Sequence, residues 1–371
     1  MKKRLFGVDS RFSLEKYLKK FNKKNILLVR SRNSFFKNGG SELIEKLRDS
    51  YNFFHYFNFS NNITLSEIKK GKEYSQKNKC ELILSIGGGS VIDMGKSINF
   101  LNNFNNNEIN LLASKKKISV LPNIVLPTTS GTGSEETHFA TVYFKNKKYS
   151  IQNSLLNPQI VIIDPYFTYQ TPKRITACTG LDALCQSIES YWSINSNRIS
   201  KSFASKSIQM ILDNIFSAFN SNNKKAREKL AYAANYSGRA INISKTTAPH
   251  ALSYAISTKF KIEHGYAVAL TLGKFLKINF YIAKKNNFSK KNEALKNLRK
   301  IYSFLGVSRP EEAERKWIEL LRKLNLESDF KKIGIDNRRT INYLVKNVNM
   351  ERLSNHPVKM NKADLIKIFV D

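Results

Sequence analysis

Glu81-Leu-Ile-Leu-Ser-Ile-Gly-Gly-Gly-Ser-Val-Ile-Asp-Met-Gly-Lys96 is the stretch that decides the fold. Leu82–Ile86 is a short, mostly apolar run, as expected of a strand buried on both faces. Three glycines and a serine follow, and a helical pattern begins at once, Val91–Leu101. Glycines let the backbone approach a phosphate closely, and a helix N-terminus adds free N–H groups and the positive end of a dipole. The spacing is not G-x-G-x-x-G, so the usual dinucleotide fingerprint is absent, and a tight turn also accounts for a bare glycine triplet. Asp93 and Lys96, one turn inside the helix, favour a ligand site. Gly87, Gly88, Gly89, Ser90 and Asp93 are therefore candidates for holding a pyrophosphate.

Outward from this stretch the same texture repeats. Asn25–Val29, Ile124–Leu126 and Ile160–Ile163 are further apolar runs, and Ser66–Asn78 is helical between two of them. Such alternation predicts a doubly wound parallel sheet. Phe139–Phe144 and Lys148–Gln152, joined by Lys145-Asn146-Lys147, read as a β-hairpin. After Pro172 strand-like runs largely stop. Ala183–Trp192, Phe203–Phe219, Ala226–Ile243 and Leu295–Phe304 carry helical patterns, which predicts an all-helical second domain. The expected division is an α/β nucleotide-binding domain over 1–173 and a helical metal- and substrate-binding domain over 174–371.

A second polar, glycine-punctuated loop, Pro127-Thr-Thr-Ser-Gly-Thr-Gly-Ser-Glu135, follows another strand. Two such loops after two strands suit the flanks of one cofactor. At the end of the first strand stand Arg30-Ser31-Arg32. An acid there would hold a ribose 2′-hydroxyl, whereas arginine accommodates a 2′-phosphate. With two arginines and no acid the reading is a preference for NADPH, or a solvated surface pair.

Bulk properties narrow the class. The 371 residues, 41% hydrophobic, can bury two cores, and no run approaches the ~20 apolar residues of a membrane span. No apolar stretch follows the basic start, so no signal peptide is expected. Cys80, Cys178 and Cys185 make no disulfide framework and fit a reducing cytoplasm. The net charge of +33 raises nucleic acid as a partner. The lysines are nevertheless spread along the chain among asparagines rather than gathered in one arm, so no nucleic-acid or membrane partner is expected. The charge would still favour small anions.

The third polar set is Asp182, Gln186, His250 and His264. Asp182 and Gln186 are four apart in a helical stretch and share a face. With the two histidines they form a possible divalent-metal set with a position open for a carbonyl oxygen. Each histidine alone also reads as a structural or surface residue.

Gly-Gly-Gly-Ser-x-x-Asp-x-x-Lys at 87–96, Leu-Pro-Thr-Thr-Ser-Gly-Thr-Gly-Ser-Glu at 126–135, Gly-Leu-Asp-Ala-Leu at 180–184 and His250 with His264-Gly265 together resemble the iron-containing (group III) alcohol dehydrogenases, in order and through nearly the whole chain. The resemblance implies a dehydroquinate synthase-like fold, α/β then helical, with NADPH or NADH and Fe2+ or Zn2+. It places Gly88, Gly89 and Ser90 on the pyrophosphate, and Thr128, Thr129 and Thr137 near the nicotinamide; Thr132 in the same loop and Ser31 after the first strand are further cofactor-binding candidates. Asp182, His250 and His264 fall on metal-ligand positions. Two positions depart from the family pattern: a third histidine ligand is replaced by Gln186, and a further active-site histidine by Tyr254. If Gln186 ligates through its amide oxygen, zinc should be weakened more than iron. Tyr254 and His138 are the catalytic candidates, His138 equally a structural residue.

The context of both departures, Asp182–Ser196 and Ile241–Tyr254, resembles a subgroup, the phosphonoacetaldehyde reductases of phosphonate biosynthesis. That implies reduction of a small anionic aldehyde, phosphonoacetaldehyde, to 2-hydroxyethylphosphonate by a homodimeric enzyme. A phosphonate needs cations and donors near the metal. Lys245, Thr246 and Thr247 precede His250, and Arg198 and Lys201 follow the first ligand helix. Lys245 also reads as a surface lysine at a helix end, and the threonines as caps. Competing readings are the same chemistry on another small aldehyde or alcohol, a cyclase related to dehydroquinate synthase, and a basic nucleic-acid binder with a decayed site. The Thr128–Glu135 loop argues against the second, and the intact Asp182, His250 and His264 against the third.

Overall fold

The structure, a computed structural model, describes residues 2–102, 120–144, 147–221 and 223–370. They form two compact units, Met1–Thr171 and Pro172–Asp371.

The first unit runs β1 (Lys3–Phe6), α1 (Leu14–Phe21), β2 (Asn25–Arg30), α2 (Ser34–Lys37), α3 (Gly40–Glu45), β3 (Asn52–Tyr56), α4 (Leu65–Lys77), β4 (Leu82–Gly87), α5 (Gly89–Leu101), β5 (Asn123–Pro127), β6 (Phe139–Phe144), β7 (Lys147–Gln152) and β8 (Ile160–Ile163). Six strands make one parallel sheet in the order β1-β8-β5-β4-β2-β3. In-register pairing of Ile26 with Leu82 and Leu28 with Leu84 sets alternate side chains on opposite faces. Ile26, Leu28, Leu82, Leu84 and Ile86 pack under Leu14 and Leu18 of α1 and Leu43 and Ile44 of α3. Leu27, Val29 and Ile83 pack under Ile68 of α4, Val91, Met94 and Ile98 of α5, and Ala140 and Val142 of β6. Both faces are covered, which is why these strands read as apolar runs rather than alternating ones.

β6 and β7 form the predicted antiparallel hairpin, with Phe144 opposite Lys147. Lys145 and Asn146 of its expected turn lie outside the described residues. β1 and β3 were not legible: Lys-Arg-Leu-Phe and Asn-Phe-Phe-His-Tyr are short, polar-flanked edge strands.

The second unit contains α6 (Lys173–Trp192), α7 (Arg198–Asn220), α8 (Lys224–Ser244), α9 (Ala248–Phe260), α10 (His264–Lys285), α11 (Lys291–Phe304), α12 (Pro310–Lys323), α13 (Arg338–Lys346), α14 (Met350–Leu353) and α15 (Lys362–Val370), and no strand among the described residues. α6 is its axis, packed by α7, α8, α10 and α11. It starts ten residues before the predicted Ala183. From Thr176 on it is buried on nearly every face, so no amphipathic stripe marks its first half. No helix among the described residues is long and apolar enough to cross a membrane.

Candidate functional site

In the first unit the chain leaves β2 for β3 on one side, and leaves β4 for β5 on the other. Ligands of open α/β sheets bind outside the carboxyl ends of the strands at such a reversal. The loops there are Ser31–Asn33, after β2, and Gly87–Ser90, after β4. α5 begins at Gly89 with no side-chain cap, so its first-turn N–H groups are left for a ligand or water. A Cβ on Gly89 would stand 2.5 Å from Thr132 Oγ1, and one on Gly88 3.2 Å from Thr129 Oγ1. The glycines therefore admit the second polar loop against the first. The structure brings together Gly87, Gly88, Gly89 and Ser90 with Thr128, Thr129 and Thr132, as two loops flanking one ligand require. Ser90 donates its hydroxyl to Asn61 O (2.8 Å).

Two expected cofactor residues serve this loop instead. Asp93 accepts from Ser134 Oγ and, at 2.9 Å, from the N–H of Thr141. Thr137 is 1% exposed, and its hydroxyl accepts from Lys96 Nζ (3.2 Å) while facing the carbonyls of Ser134 and Phe139. Lys96, fully buried, also donates to Ser134 O and Oγ, both at 2.9 Å. Asp93 and Thr137 thus fasten Ser134–Thr141 to α5, and these bonds to the loop are what the structure shows for both side chains expected at the cofactor. From the far edge, Arg4 donates a two-pronged bond to Glu136 (2.8 and 2.9 Å), and Lys2 lies 3.1 Å from the same carboxylate. Sequence reasoning missed this clasp, because β1 and the loop are more than 130 residues apart.

Arg30 is corrected likewise. Its guanidinium lies 4.0 Å from the Phe57 ring centroid, donates through Nε to His55 Nδ1 (2.9 Å) and caps Ser31 O (3.1 Å). A side chain 6% exposed and held by ring and carbonyls pins the strand end and is not presented to a 2′-phosphate. Arg32 is exposed and donates to Asn58 Oδ1 (2.6 Å), and Ser31 shares a hydrogen bond with Ser34. His138 precedes β6, half-buried, with its ring edge-on to Phe139.

In the second unit Asp182, His250 and His264 offer ligand atoms within 4.8 Å of one another. α6 supplies the first, α9 the second and the first turn of α10 the third. Gly265 makes this approach possible: a Cβ there would fall 2.0 Å from Cys178 O and 2.7 Å from Asp182 Cβ. His250 Nδ1 is hydrogen-bonded to Glu189 Oε1. A carboxylate only accepts, so the Nδ1 proton is donated and Nε2 is left with its lone pair. Nε2 faces Asp182 Oδ1 at 3.4 Å, and both are buried atoms without a hydrogen-bond partner. Two lone-pair atoms held together in a dry site are a cation's ligands. In a protein without metal the position takes a proton: burial opposes it, but Glu189 and Asp182 outweigh burial and raise the His250 pKa to about 10. His264 Nδ1 lies 3.4 Å from Ser253 Oγ, whose own proton goes to His250 O (2.8 Å). Tyr254 stacks on the His264 ring, centroids 5.8 Å apart.

Gln186 is turned differently from expectation. Its Nε2 donates to Asp182 Oδ2 (3.2 Å), and its Oε1 accepts from Ser237 Oγ (2.8 Å). It steadies the aspartate, and the oxygen expected to ligate faces α8.

Glu189 and Ser193 were missed by sequence reasoning. Asp182, Gln186 and Glu189 recur at i, i+4 and i+7, a polar stripe on a buried helix that Ser193 ends at its C-cap, and that was the available signal. Glu189 Oε2 accepts from Thr247 N (2.6 Å) and Thr247 Oγ1 (2.9 Å), and Thr247 Oγ1 accepts from Trp192 Nε1 (2.9 Å). The Thr247 hydroxyl thus has no proton left for a phosphonate, so its expected substrate role is corrected to a structural one. Ser193 Oγ donates to Ser244 O (2.8 Å), and Asn355 Nδ2 to Thr246 O (3.1 Å). Thr246 is buried in this turn. Between the anchors Lys245 is held at φ 61, ψ 177, a region that essentially only glycine occupies, at a cost of roughly 1–3 kcal/mol. Its ammonium, partly exposed, lies 3.6 Å from Glu351. Arg198 is exposed at the first turn of α7, and Lys201 pairs with Glu293 at 3.0 Å.

Family comparisons agree with this architecture. Residues 2–165 match the iron-containing alcohol dehydrogenase model, and residues 176–371 the C-terminal model of the same family. The chain therefore belongs to the iron-containing alcohol dehydrogenases, a family of metal-dependent, nicotinamide-linked oxidoreductases. Alcohol dehydrogenase 4 of Saccharomyces cerevisiae is 31% identical over 281 residues, 74% of this chain and 71% of that protein. Aldehyde-alcohol dehydrogenase 2 of Entamoeba histolytica is 31% identical over 232 residues, 58% of this chain but only 26% of that longer protein. The crystal structure of sulfoacetaldehyde reductase from Bifidobacterium kashiwanohense in complex with NAD+ superposes with a TM-score of 0.87 at 26% identity, covering 100% of this chain and 96% of that one.

Proposed function

We propose that the chain reduces a two-carbon aldehyde carrying an anionic head group, phosphonoacetaldehyde first among them, to the corresponding alcohol. The observation that carries this is Lys245: a cation held in a strained backbone state by anchors on both sides, five residues before the metal-ligand position His250. Strain of this kind persists where surrounding structure over-determines it, and functional sites are where it collects. The named substrate of the Bifidobacterium kashiwanohense relative is also a two-carbon aldehyde with an anionic group. One lysine beside Glu351 suits a sulfonate monoanion too, so sulfoacetaldehyde is the second reading.

A divalent cation bound by Asp182, His250 and His264 supplies polarisation of the carbonyl oxygen, and a reduced nicotinamide supplies the hydride. The chain's own residues prepare the site. Glu189 keeps the Nδ1 proton of His250 in place and so presents Nε2. Gln186 orients Asp182. Lys245 holds the anionic group, with Thr246 and Arg198 further candidates in its binding. Tyr254, stacked on His264, is the candidate for handing the substrate oxygen the proton that completes the product hydroxyl, with His138 the alternative. The uncapped start of α5, with Gly88, Gly89 and Ser90, takes the pyrophosphate, and Thr128, Thr129 and Thr132 line the same ligand. A preference for NADPH rests on Arg32 alone, since Arg30 is buried.

The test is loss of nicotinamide absorbance with phosphonoacetaldehyde, sulfoacetaldehyde, propanal and glycolaldehyde, after loading with Fe2+ or Zn2+. A kcat/KM for an anionic aldehyde at least tenfold above both neutral ones is expected. Equal rates on all four would refute the anionic class, and no turnover of any aldehyde with any divalent metal would refute the reduction itself.

A further inference from the structure

We propose that Glu189 is a positioning residue that ties the metal ligand His250 to the Lys245–Thr247 turn, so that metal binding and recognition of the substrate anion depend on one carboxylate. The second half rests on the function proposed above.

The carboxylate is wholly buried, with the His250 ring on one oxygen and Thr247 on the other. Oε1 takes the His250 Nδ1 proton and fixes which ring nitrogen remains for the metal. Oε2 takes the N–H and the hydroxyl of Thr247, two residues after the strained Lys245, and at 3.5 Å the backbone N–H of His250. Both bonds leave one rigid group on α6, seven residues after Asp182 and so on the same face. Trp192 supports the arrangement by donating to Thr247 from the next turn of the same helix. A metal at His250 therefore steadies the imidazole against Oε1. An aligned carboxylate in turn holds Thr247 N–H, the C-terminal anchor of the turn that keeps Lys245 at positive φ.

A neutral amide at this position cannot keep both links. Only one of its terminal atoms accepts, so a glutamine cannot receive His250 Nδ1–H and Thr247 N–H on separate atoms. An aspartate keeps two accepting oxygens on a shorter arm. Replacing Thr247 with valine removes the hydroxyl arm and the acceptor of Trp192 Nε1, and leaves the Thr247 N–H and His250 Nδ1 bonds to Glu189 in place.

The experiment uses the full chain in four forms: wild type, Glu189→Gln, Glu189→Asp and Thr247→Val. Zn2+ affinity is read by competition with a chromophoric chelator, independently of turnover. The ratio of kcat/KM for phosphonoacetaldehyde over propanal is then read at saturating Zn2+. Glu189→Gln is expected to weaken Zn2+ binding roughly 10–100-fold, the range for a group that orients a ligating histidine, and to lower the ratio about tenfold or more. Glu189→Asp should recover part of both. Thr247→Val should lower the ratio with Zn2+ affinity within about threefold of wild type, and it keeps the test open if Glu189→Gln does not fold by circular dichroism. Unchanged Zn2+ affinity in folded Glu189→Gln overturns the inference. So does weakened Zn2+ binding with the ratio intact in both Glu189→Gln and Thr247→Val, which would mean Glu189 serves His250 alone. If wild type itself shows no preference for phosphonoacetaldehyde, the substrate reading falls. The Zn2+ affinities of Glu189→Gln and Glu189→Asp then still decide whether Glu189 positions His250.

Discussion

Lys245→Gly separates backbone strain from side-chain function at one position. The backbone stands at φ 61, ψ 177, where a lysine is strained by roughly 1–3 kcal/mol and glycine is not. Glycine gives back roughly 0.4–1 kcal/mol through its freer unfolded chain. The ion pair with Glu351 is 30% and 47% exposed, so after solvent screening its loss costs only about 0–0.5 kcal/mol. The net expectation is a protein more stable by about 1 kcal/mol, or a melting temperature about 2–4 °C higher for a unit of this size. Removing the ammonium should at the same time lower kcat/KM for phosphonoacetaldehyde by roughly 10²-fold, about 2.7 kcal/mol of transition-state binding, and leave propanal nearly unchanged. Calorimetry and steady-state absorbance read the two effects separately. Lys245→Ala, which keeps the strain and loses the charge, should match glycine in kinetics but not in stability. A glycine variant less stable than wild type would refute the strain assignment. Equal loss on both aldehydes would show that Lys245 supports the fold or the metal rather than the anion.

Gln186→His should add a fourth ligand where Nε2 now donates to Asp182, and tighten Zn2+ binding about tenfold or more by chelator competition; unchanged affinity would mean this position does not reach the ion. Arg32→Ala should erode any preference for NADPH over NADH by about tenfold, a charge-assisted contact being worth roughly 1.5–3 kcal/mol, and an unaltered KM ratio would remove Arg32 from the 2′-phosphate. Burial lowers the His356 pKa to about 3, so the ring is neutral in the fold while the unfolded chain takes its proton near 6.5. The stability it contributes is present above pH 6.5 and is lost as pH falls from 6.5 towards 3, at up to about 1.4 kcal/mol per unit. His356→Gln should therefore flatten the fall in urea midpoint between pH 6.5 and 4, and an identical slope would count against a buried neutral ring.

The sequence by itself determined the sheet strands that are buried on both faces, because continuous apolar runs such as Leu82–Ile86 have few other uses. It also determined the class of chemistry. Gly87–Ser90, Thr128–Glu135, Asp182, His250 and His264 are small, polar or metal-competent residues where folding alone asks for nothing special. It could not show what each polar atom does. Asp93, Thr137, Arg30 and Thr247 carry groups that suit a ligand, and tertiary packing gives those groups to Ser134, Lys96, His55 and Glu189 instead. Hydrogen bonds are saturable and directional, so a hydroxyl that has donated its one proton to the fold cannot donate it to a ligand, and residue type cannot show which state holds. The orientation of Gln186, the tautomer of His250 and the strain at Lys245 are likewise settled by neighbours fifty or more residues away, such as Ser237, Glu189 and Asn355.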